Sequence, residues 1–206
     1  MQTPFSGRQE VIKRVEDYLI ATLALLLASP LMGLVAIAIK LGSGGPVLFR
    51  QRRLGLHGKP FVILKFRTMA RETCDTGEEG TRPDDPRITP VGRLLRRASL
   101  DELPQFLNVL RGEMSVVGPR AHVPGMQIDD RTYLETVEAY ALRHRVKPGI
   151  TGWAQVNGMR GGIRTRQRAR RGVRLDLQYI DNWSLWLDLR ILLRTLFGGL
   201  TGRNVF

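Results

Sequence analysis

The sequence predicts an α+β fold, mostly helical: a monotopic membrane protein with an N-terminal re-entrant helix, a small β-hairpin and interfacial amphipathic helices. Three observations support this prediction. Residues 18–39 carry no charge, two short β-rich stretches follow them, and leucines recur at helical spacing near the C-terminus. A length of 206 residues fits one domain. Within it we expect a membrane helix over about residues 14–41 and a cytosolic part over about residues 42–206.

The charge-free stretch is long enough for a membrane helix, because about 20 residues cross roughly 30 Å of hydrocarbon. Pro30 lies in its middle and lacks the hydrogen-bond donor that the Leu26 carbonyl needs, which predicts a kink or break. Ser29 can satisfy the backbone group that is released. Each half reaches about halfway through the bilayer, and basic residues flank both ends, so the helix can enter and return to the cytoplasmic side. A kinked spanning helix and a cleaved signal peptide are the alternatives.

The region after the membrane stretch predicts a hairpin followed by a loop and a helix. Residues 46–53 and 61–69 are rich in β-branched and aromatic side chains, and Gly55 and Gly58 lie between them. Residues 72–87 are polar and contain glycine and proline, which is typical of a surface loop. The next helix is expected to have Thr89 as its N-cap and Pro90 at its first position.

The second half of the chain predicts further helices. The apolar spacing of residues 103–110 indicates a helix that begins near Asp101, with a capping box from Ser99 to Glu102 as the alternative start. Residues 133–145 predict another helix, residues 147–158 a glycine-containing loop, and the arginine-rich residues 159–174 a segment that is mobile until it meets phosphate or lipid. The C-terminal leucines predict an amphipathic helix that either lies among lipid head groups or packs on the core.

The charge balance points to anionic partners. Thirty-two Lys and Arg against nineteen Asp and Glu give a net charge of +13, which suits nucleic acid, anionic lipid or phosphorylated substrates. The apolar stretch favours the last two, so no nucleic-acid partner is predicted. The single cysteine, Cys74, excludes an internal disulfide, and the three histidines lack the spacing of a zinc site.

The densest group of reactive residues lies between residues 96 and 105. Asp101 and Glu102 are adjacent carboxylates at a predicted helix start, where free N–H groups and the helix dipole favour anions. An ionised Asp101 is a competent nucleophile toward phosphorus. Glu102 offers an oxygen ligand for Mg²⁺, which takes one or two carboxylates together with substrate phosphates. The same spacing also fits a plain helix cap and an ion pair.

Two other motifs offer cations for a phosphate. Gly118 follows a short apolar strand, and such a turn can present backbone N–H groups and Arg120 to a phosphate. Lys65 and Arg67 are two residues apart, which places both on one face of the predicted strand. A solvated strand face is the alternative for this pair.

Together these motifs resemble the bacterial sugar transferase family, the monotopic phosphoglycosyl transferases, in its small single-domain form. The resemblance covers nearly the whole chain. It includes Ser29-Pro30 and residues 65–69, 87–92, 99–105, 108–115, 118–120, 147–158 and 176–184. The chain departs from the family pattern at Ala121, where the family usually has proline, and in the arginine-rich residues 159–174.

The resemblance implies an activity. A sugar 1-phosphate would pass from a UDP-sugar to undecaprenyl (polyprenyl) phosphate, giving polyprenyl diphosphate sugar and UMP. The family implies a ping-pong mechanism through an aspartyl phosphosugar, with Mg²⁺ as cofactor, at the cytoplasmic face of the bacterial inner membrane. This would be the first membrane step in the synthesis of an exopolysaccharide, an O-antigen or a glycoprotein glycan. A basic membrane scaffold without chemistry and a one-step transferase are the competing hypotheses.

The resemblance also implies roles for particular residues. Asp101 is expected to be the nucleophile and Glu102 the metal-site residue, with Arg96 and Arg120 as phosphate contacts. Lys65 and Arg67 join the expected substrate-binding set, and Ser29 and Pro30 mark the break in the membrane helix. The expected partners are the UDP-sugar donor, the polyprenyl phosphate acceptor and an anionic lipid bilayer, while a homodimer is left open.

Overall fold

The structure is a computed structural model that describes residues 4–70, 85–128, 131–163 and 165–200. The α-helices are α1 (Gly7–Gly42), α2 (Pro90–Arg97), α3 (Gln105–Leu110), α4 (Tyr133–Thr136), α5 (Trp153–Val156), α6 (Arg166–Asp181) and α7 (Leu185–Leu200). The strands are β1 (Leu48–Leu54), β2 (Pro60–Phe66), β3 (Ser115–Val117), β4 (Gln127–Ile128), β5 (Arg131–Thr132) and β6 (Gly149–Thr151). Three 3-10 turns cover Leu56–Gly58, Leu100–Glu102 and Glu138–Arg145. The fold is therefore mixed and mostly helical, as predicted, and most of the predicted loop at residues 72–87 lies outside the described residues.

Helix α1 is one continuous helix of 36 residues with Pro30 inside it. The helix continues through Pro30 without the expected break, because the neighbouring residue, Ser29, satisfies the backbone carbonyl that proline leaves without a donor. The Ser29 hydroxyl donates to the Leu26 carbonyl at 2.9 Å and so replaces the donor that proline lacks. An 18-residue window of α1 has a mean hydropathy of 2.3, and 11% of that window is buried. The helix is thus long and apolar enough to cross a membrane, and it is not a buried core helix.

The N-terminal part of α1 is held against the rest of the protein by buried polar contacts. Asp17 accepts hydrogen bonds from the Val116 amide and the Ser115 hydroxyl of β3, both at 2.9 Å. The Lys13 ammonium lies 3.0 Å from Asp17 and 2.8 Å from Asp188 of α7. These contacts link α1 to both β3 and α7.

Asp188 is fully buried and fully paired. Besides the ion pair with Lys13, its carboxylate accepts hydrogen bonds from the Tyr179 hydroxyl and the Trp183 indole N–H, each at 2.9 Å. We call Lys13, Asp17 and Asp188 the anchor cluster. It fixes the point where α1 leaves the body of the protein.

Strands β1 and β2 form the predicted antiparallel hairpin, with pairs running from Leu48–Phe66 to Leu54–Pro60. The hairpin is joined to α3 by Asn108, which is completely buried. The Asn108 amide accepts from the Leu64 N–H at 3.0 Å and donates to the Val62 carbonyl at 2.7 Å. These two hydrogen bonds place the C-terminal end of β2 close to the turn that precedes α3.

Residues 133–145 do not form the single helix that was expected. Helix α4 ends at Thr136, because Val137 adopts an extended conformation with φ −131° and buries its side chain, and a 3-10 helix follows. Residues 147–158, expected to be a loop, contain β6, which pairs in parallel with β3, and the short helix α5. Backbone pairing with a strand distant in sequence creates β6, and local sequence patterns do not report it.

Much of the arginine-rich stretch, expected to be mobile, is helical. Helix α6 begins at Arg166, capped by the Thr165 hydroxyl, which accepts from the Arg168 N–H. Ala169, Gly172 and Val173 bury one face of this helix against the protein. Residues 166–174 of the segment expected to be mobile are helical, because these small and apolar residues supply a packing face between the arginines.

Helix α7 is the predicted C-terminal amphipathic helix, and both of its faces are apolar. Ile191 is fully buried in the main core, whereas Trp186, Leu196 and Phe197 are 65–71% exposed. The helix therefore packs on the core, which was one of the two predicted alternatives. It also exposes large apolar side chains on its outer face.

Candidate active site

The site begins where α2 packs on the end of the hairpin. Thr89 is the N-cap of α2, accepting from the Gly92 N–H at 2.9 Å, and Pro90 is its first residue, as predicted. A Cβ at Gly92 would overlap the Thr68 backbone, so the close approach of helix and strand requires glycine. One turn later, the Arg96 Nε donates to the Thr68 hydroxyl at 2.9 Å.

Asp101 and Glu102 lie in a tight turn rather than at the start of an α-helix. Ser99 takes a left-handed conformation with φ 55° after the end of α2. The Leu100 carbonyl would pair with residue 104 in an α-helix, but Pro104 has no N–H, and the Leu103 N–H donates to it instead at 3.3 Å. Helix α3 consequently begins at Gln105. The predicted helix start near Asp101 was four residues too early.

Two of the predicted cations converge on Glu102. The Lys65 ammonium lies 2.7 Å from Glu102 Oε1, and the Arg120 guanidinium lies 3.0 Å from the same oxygen. Burial alone would raise the pKa of Glu102, but Arg120 and Lys65 together hold that pKa well below its usual value. Glu102 is therefore ionised at neutral pH.

Asp101 has the opposite environment. No described residue donates a hydrogen bond to its carboxylate or forms an ion pair with it. Burial, and then the charge of Glu102, raise the pKa of Asp101 to about 6, against the opposing influence of Lys65, Arg96 and Arg120. Three cations act on this carboxylate, yet no described residue donates a hydrogen bond to it. Its oxygens are therefore available to attack, as a nucleophile requires.

The two carboxylates fit a magnesium ion. No cluster of three or more potential metal-binding side chains exists in the described ranges, but Mg²⁺ commonly takes only one or two carboxylates and fills its remaining positions with water and substrate phosphates. Both cations bind Oε1 of Glu102, and no hydrogen bond from the described residues reaches its Oε2. That oxygen is chemically suited to a hard cation.

Arg120 is placed by a crossing of two glycine-rich loops. The Gly118 N–H donates to the Thr151 carbonyl, and the Gly149 N–H donates to the Pro119 carbonyl, each at 2.9 Å. A Cβ at Gly118 would lie 2.7 Å from the Lys147 carbonyl, and one at Gly149 would overlap the Gly118 backbone. Only glycine allows this approach, so the predicted turn after β3 is present and closely packed.

A buried ion pair that sequence reasoning missed supports the same turn. Arg143 Nη2 lies 2.7 Å from Asp176 and donates to the Arg120 carbonyl at 2.8 Å. Both partners are at most 4% exposed. Arg143 lies in the segment expected to be a regular helix, where no pattern distinguishes it, whereas Asp176 lies in one of the family-like motifs. They are positioning residues, because they act on the Arg120 backbone.

The structure does not bring Arg67 to this site. Its guanidinium donates to the carbonyls of Gly44 and Ser43 at 2.6 and 2.7 Å and thereby caps the C-terminal end of α1. Lys65, Arg96 and Arg120 do surround the two carboxylates, while Ser29 and Pro30 lie in the exposed apolar part of α1.

A carboxylate pair with cations around it can contact phosphate groups, and the long exposed apolar helix suits association with a membrane. Sequence comparison specifies the class further. The bacterial sugar transferase family model matches residues 8–202. The chain belongs to the bacterial sugar transferase family.

The chain is also similar to proteins with named activities. It is 48% identical over 204 residues to the UDP-glucose:undecaprenyl-phosphate glucose-1-phosphate transferase of Escherichia coli (strain K12), covering 99% of this chain and 43% of that protein. It is 51% identical over 195 residues to the protein of the same name from Caulobacter vibrioides, covering 94% and 72%. It is 42% identical over 195 residues to the UDP-N-acetylgalactosamine-undecaprenyl-phosphate N-acetylgalactosaminephosphotransferase of Aeromonas hydrophila, covering 93% and 44%. The chain thus spans less than half the length of the first and third of these relatives.

Proposed function

We propose that this chain transfers a sugar 1-phosphate from a UDP-sugar to undecaprenyl phosphate. The proposal is carried by two adjacent carboxylates in different states. Asp101 accepts no hydrogen bond from a described residue, and Glu102 is held ionised by Lys65 and Arg120. The names of the relatives support the donor and the acceptor. Glucose is the first sugar to test and N-acetylgalactosamine the second.

The proposed chemistry has two displacements at phosphorus. An Asp101 oxygen attacks the phosphorus that carries the sugar, the bond to the bridging oxygen breaks, and UMP leaves. A phosphate oxygen of the acceptor then attacks the phosphorus of the aspartyl phosphosugar and releases Asp101. Splitting the transfer in this way lets a soluble donor and a lipid acceptor use one site in turn. Arg96, Arg120 and Lys65 stabilise the negative charge spread over the transferring oxygens.

Glu102 is the residue we assign to Mg²⁺. When bound, Mg²⁺ supplies a positive charge that neutralises the donor diphosphate. Lys65 and Arg120 keep Glu102 ionised and leave its second oxygen available.

We also propose that α1 enters and leaves the bilayer on its cytoplasmic side. In support, 12 exposed large apolar residues lie along α1, and Pro30 divides its charge-free stretch into two halves of about 18 and 14 Å, each roughly half of the hydrocarbon core. Cysteines placed at Arg8 and Leu41 in a Cys74→Ser background should both react with a membrane-impermeant thiol reagent only after the cytoplasmic side is opened. Labelling of either position from the periplasm contradicts the re-entrant arrangement.

The covalent mechanism is tested with Asp101→Asn. We expect this variant to lose UMP release by about a thousandfold or more, and to lose covalent labelling by a donor with a radiolabelled sugar. Its thermal stability should be equal to or higher than that of the wild type at neutral pH, because a carboxylate whose pKa is raised by burial is removed. Asp181→Asn, at an exposed position of α6, is the matched control and should behave like the wild type.

The competing hypotheses predict different data. A scaffold without chemistry releases no UMP from any UDP-sugar in the presence of polyprenyl phosphate. A one-step transferase gives ternary-complex kinetics and no labelled protein. Ping-pong initial velocities together with labelled wild-type protein support the two-step proposal, and robust turnover by Asp101→Asn overturns it.

A further inference from the structure

We propose that a pocket at the base of α1 binds the phosphate group of an anionic membrane phospholipid. The pocket has a volume of about 50 Å³, several times the roughly 10–15 Å³ that one water needs, so a group of a few heavy atoms fits. Arg14, Arg145 and Lys147 line it beside the apolar side chains of Phe5, Leu56 and Val146. Asp101, Glu102 and their cations are not among its lining residues, which separates it from the candidate active site.

The charges of the pocket favour an anion. Four cations and two carboxylates line it, a net charge of +2. Lys13 is shared between Asp17 and Asp188 of the anchor cluster, and Arg14 lies 4.0 Å from the exposed Glu10. Among the cations that line the pocket, Lys147 forms no ion pair with a described residue, so an entering anion meets its charge at short range.

Lys147 is the side chain that lacks an acceptor. It is half-buried, and no described residue accepts a hydrogen bond from its ammonium group or pairs with it. Burial, and next the charge of Arg14, lower the pKa of Lys147. This half-buried ammonium group is therefore available to donate charge-assisted hydrogen bonds to a phosphate oxygen.

The location of the pocket identifies the source of the phosphate. A Cβ at Gly112 would lie 3.7 Å from both the Lys147 ammonium and the Tyr18 hydroxyl, so these two groups flank one point. Tyr18 is the first residue of the charge-free stretch of α1. The cations therefore lie where α1 passes from the protein into hydrocarbon, at the level of lipid head groups. The apolar walls suit the glycerol and the first acyl carbons.

The inference rests on the proposed membrane insertion of α1 but not on the chemistry of Asp101. The test compares Arg14→Gln/Lys147→Gln with Arg50→Gln/Arg52→Gln, which removes two exposed cations from β1 instead. Each full-length variant is placed in bilayers of equal parts phosphatidylglycerol and phosphatidylcholine, extracted in mild detergent, and measured by native mass spectrometry for retained lipid. Recovery in the membrane fraction is measured first, so that loss of insertion is distinguished from loss of the site.

We expect the wild type, Asp101→Asn and the β1 variant to retain phosphatidylglycerol in preference to phosphatidylcholine. The Arg14→Gln/Lys147→Gln variant should retain about tenfold less phosphatidylglycerol while inserting normally. Equal retention in both double variants overturns the site, and equal retention of the two lipids by the wild type overturns the preference for an anionic lipid. Displacement of phosphatidylglycerol by inorganic phosphate alone would identify free phosphate as the ligand and overturn the lipid assignment.

Discussion

The anchor cluster and the candidate active site both combine acids with cations, and they differ in what surrounds the carboxylates. In the anchor cluster, Asp188 accepts from Lys13, Tyr179 and Trp183 and is completely buried. In the candidate active site, Glu102 shares one oxygen between two cations and Asp101 has no donor among the described residues. The first cluster is closed, whereas the second is open toward a ligand.

This difference separates a structural role from a catalytic one better than the residue types do. A buried carboxylate with all of its hydrogen bonds made holds elements together, and opening it leaves charges unpaired. A carboxylate placed among cations but without a donor is held ready for an incoming group at the expense of stability. The same Asp→Asn substitution should therefore have opposite consequences in the two clusters.

The largest expected effect on stability comes from Asp188→Asn. This change leaves Lys13 without its closest carboxylate and weakens two further buried hydrogen bonds, and breaking a buried pair typically costs about 3–5 kcal/mol. Denaturant unfolding of the protein in detergent measures the free energy of unfolding. A stability equal to that of the wild type would show that α1 is anchored by packing alone, and the contrast with Asp101→Asn would disappear.

Arg120→Ala should act mainly on turnover. Arg120 is 43% exposed in its side chain and pairs with Glu102, so its loss removes a phosphate contact and part of the charge that keeps Glu102 ionised. We expect UMP release to fall by about tenfold or more, which corresponds to roughly 1.4 kcal/mol in the activation free energy. Arg52→Ala, another exposed arginine, is the control. Wild-type kinetics in Arg120→Ala would exclude its role at the phosphate.

The smallest predicted effect is the pH dependence of the first displacement. The pKa of Asp101 is raised to about 6, and only the ionised form attacks phosphorus, so the rate falls as the pH falls through this value. At pH 6 the rate of UMP release should be about half of that at pH 8, with a tenfold loss per unit well below pH 6. A flat profile down to pH 4, in protein shown to remain folded, would contradict the assignment of Asp101.

Features encoded locally in the sequence could be predicted. Thr89 and Pro90 define the start of α2 through the cap and the fixed φ of proline, and two β-rich stretches around Gly55 and Gly58 define the hairpin. The reactive cluster was also visible, because Asp101 and Glu102 are adjacent in the chain. Lys65 and Arg120 could be proposed from the strand spacing and from the turn after Gly118, and the family resemblance added a role for Arg96.

Features that depend on distant contacts could not be predicted. Arg67 and Lys65 look equivalent in the strand, yet Arg67 binds the end of α1, which lies 23 and 24 residues earlier. The Arg143–Asp176 pair joins residues 33 apart, and the anchor cluster joins α1 to α7. In each case tertiary packing determines which residue a charged side chain pairs with. Local sequence patterns do not indicate that partner.

The loop crossing at Gly118 and Gly149 has a consequence for how the protein can vary. Arg120 is placed there by main chain lying directly on main chain, and the Arg143 side chain holds its carbonyl in addition. The glycines themselves are closed to substitution, since any Cβ would separate the loops, whereas Ala121 next to the arginine lies outside the crossing. We therefore expect sequence change to accumulate around Arg120 rather than at the two glycines, which would allow substrate preference to diverge while the proposed phosphate contact is kept.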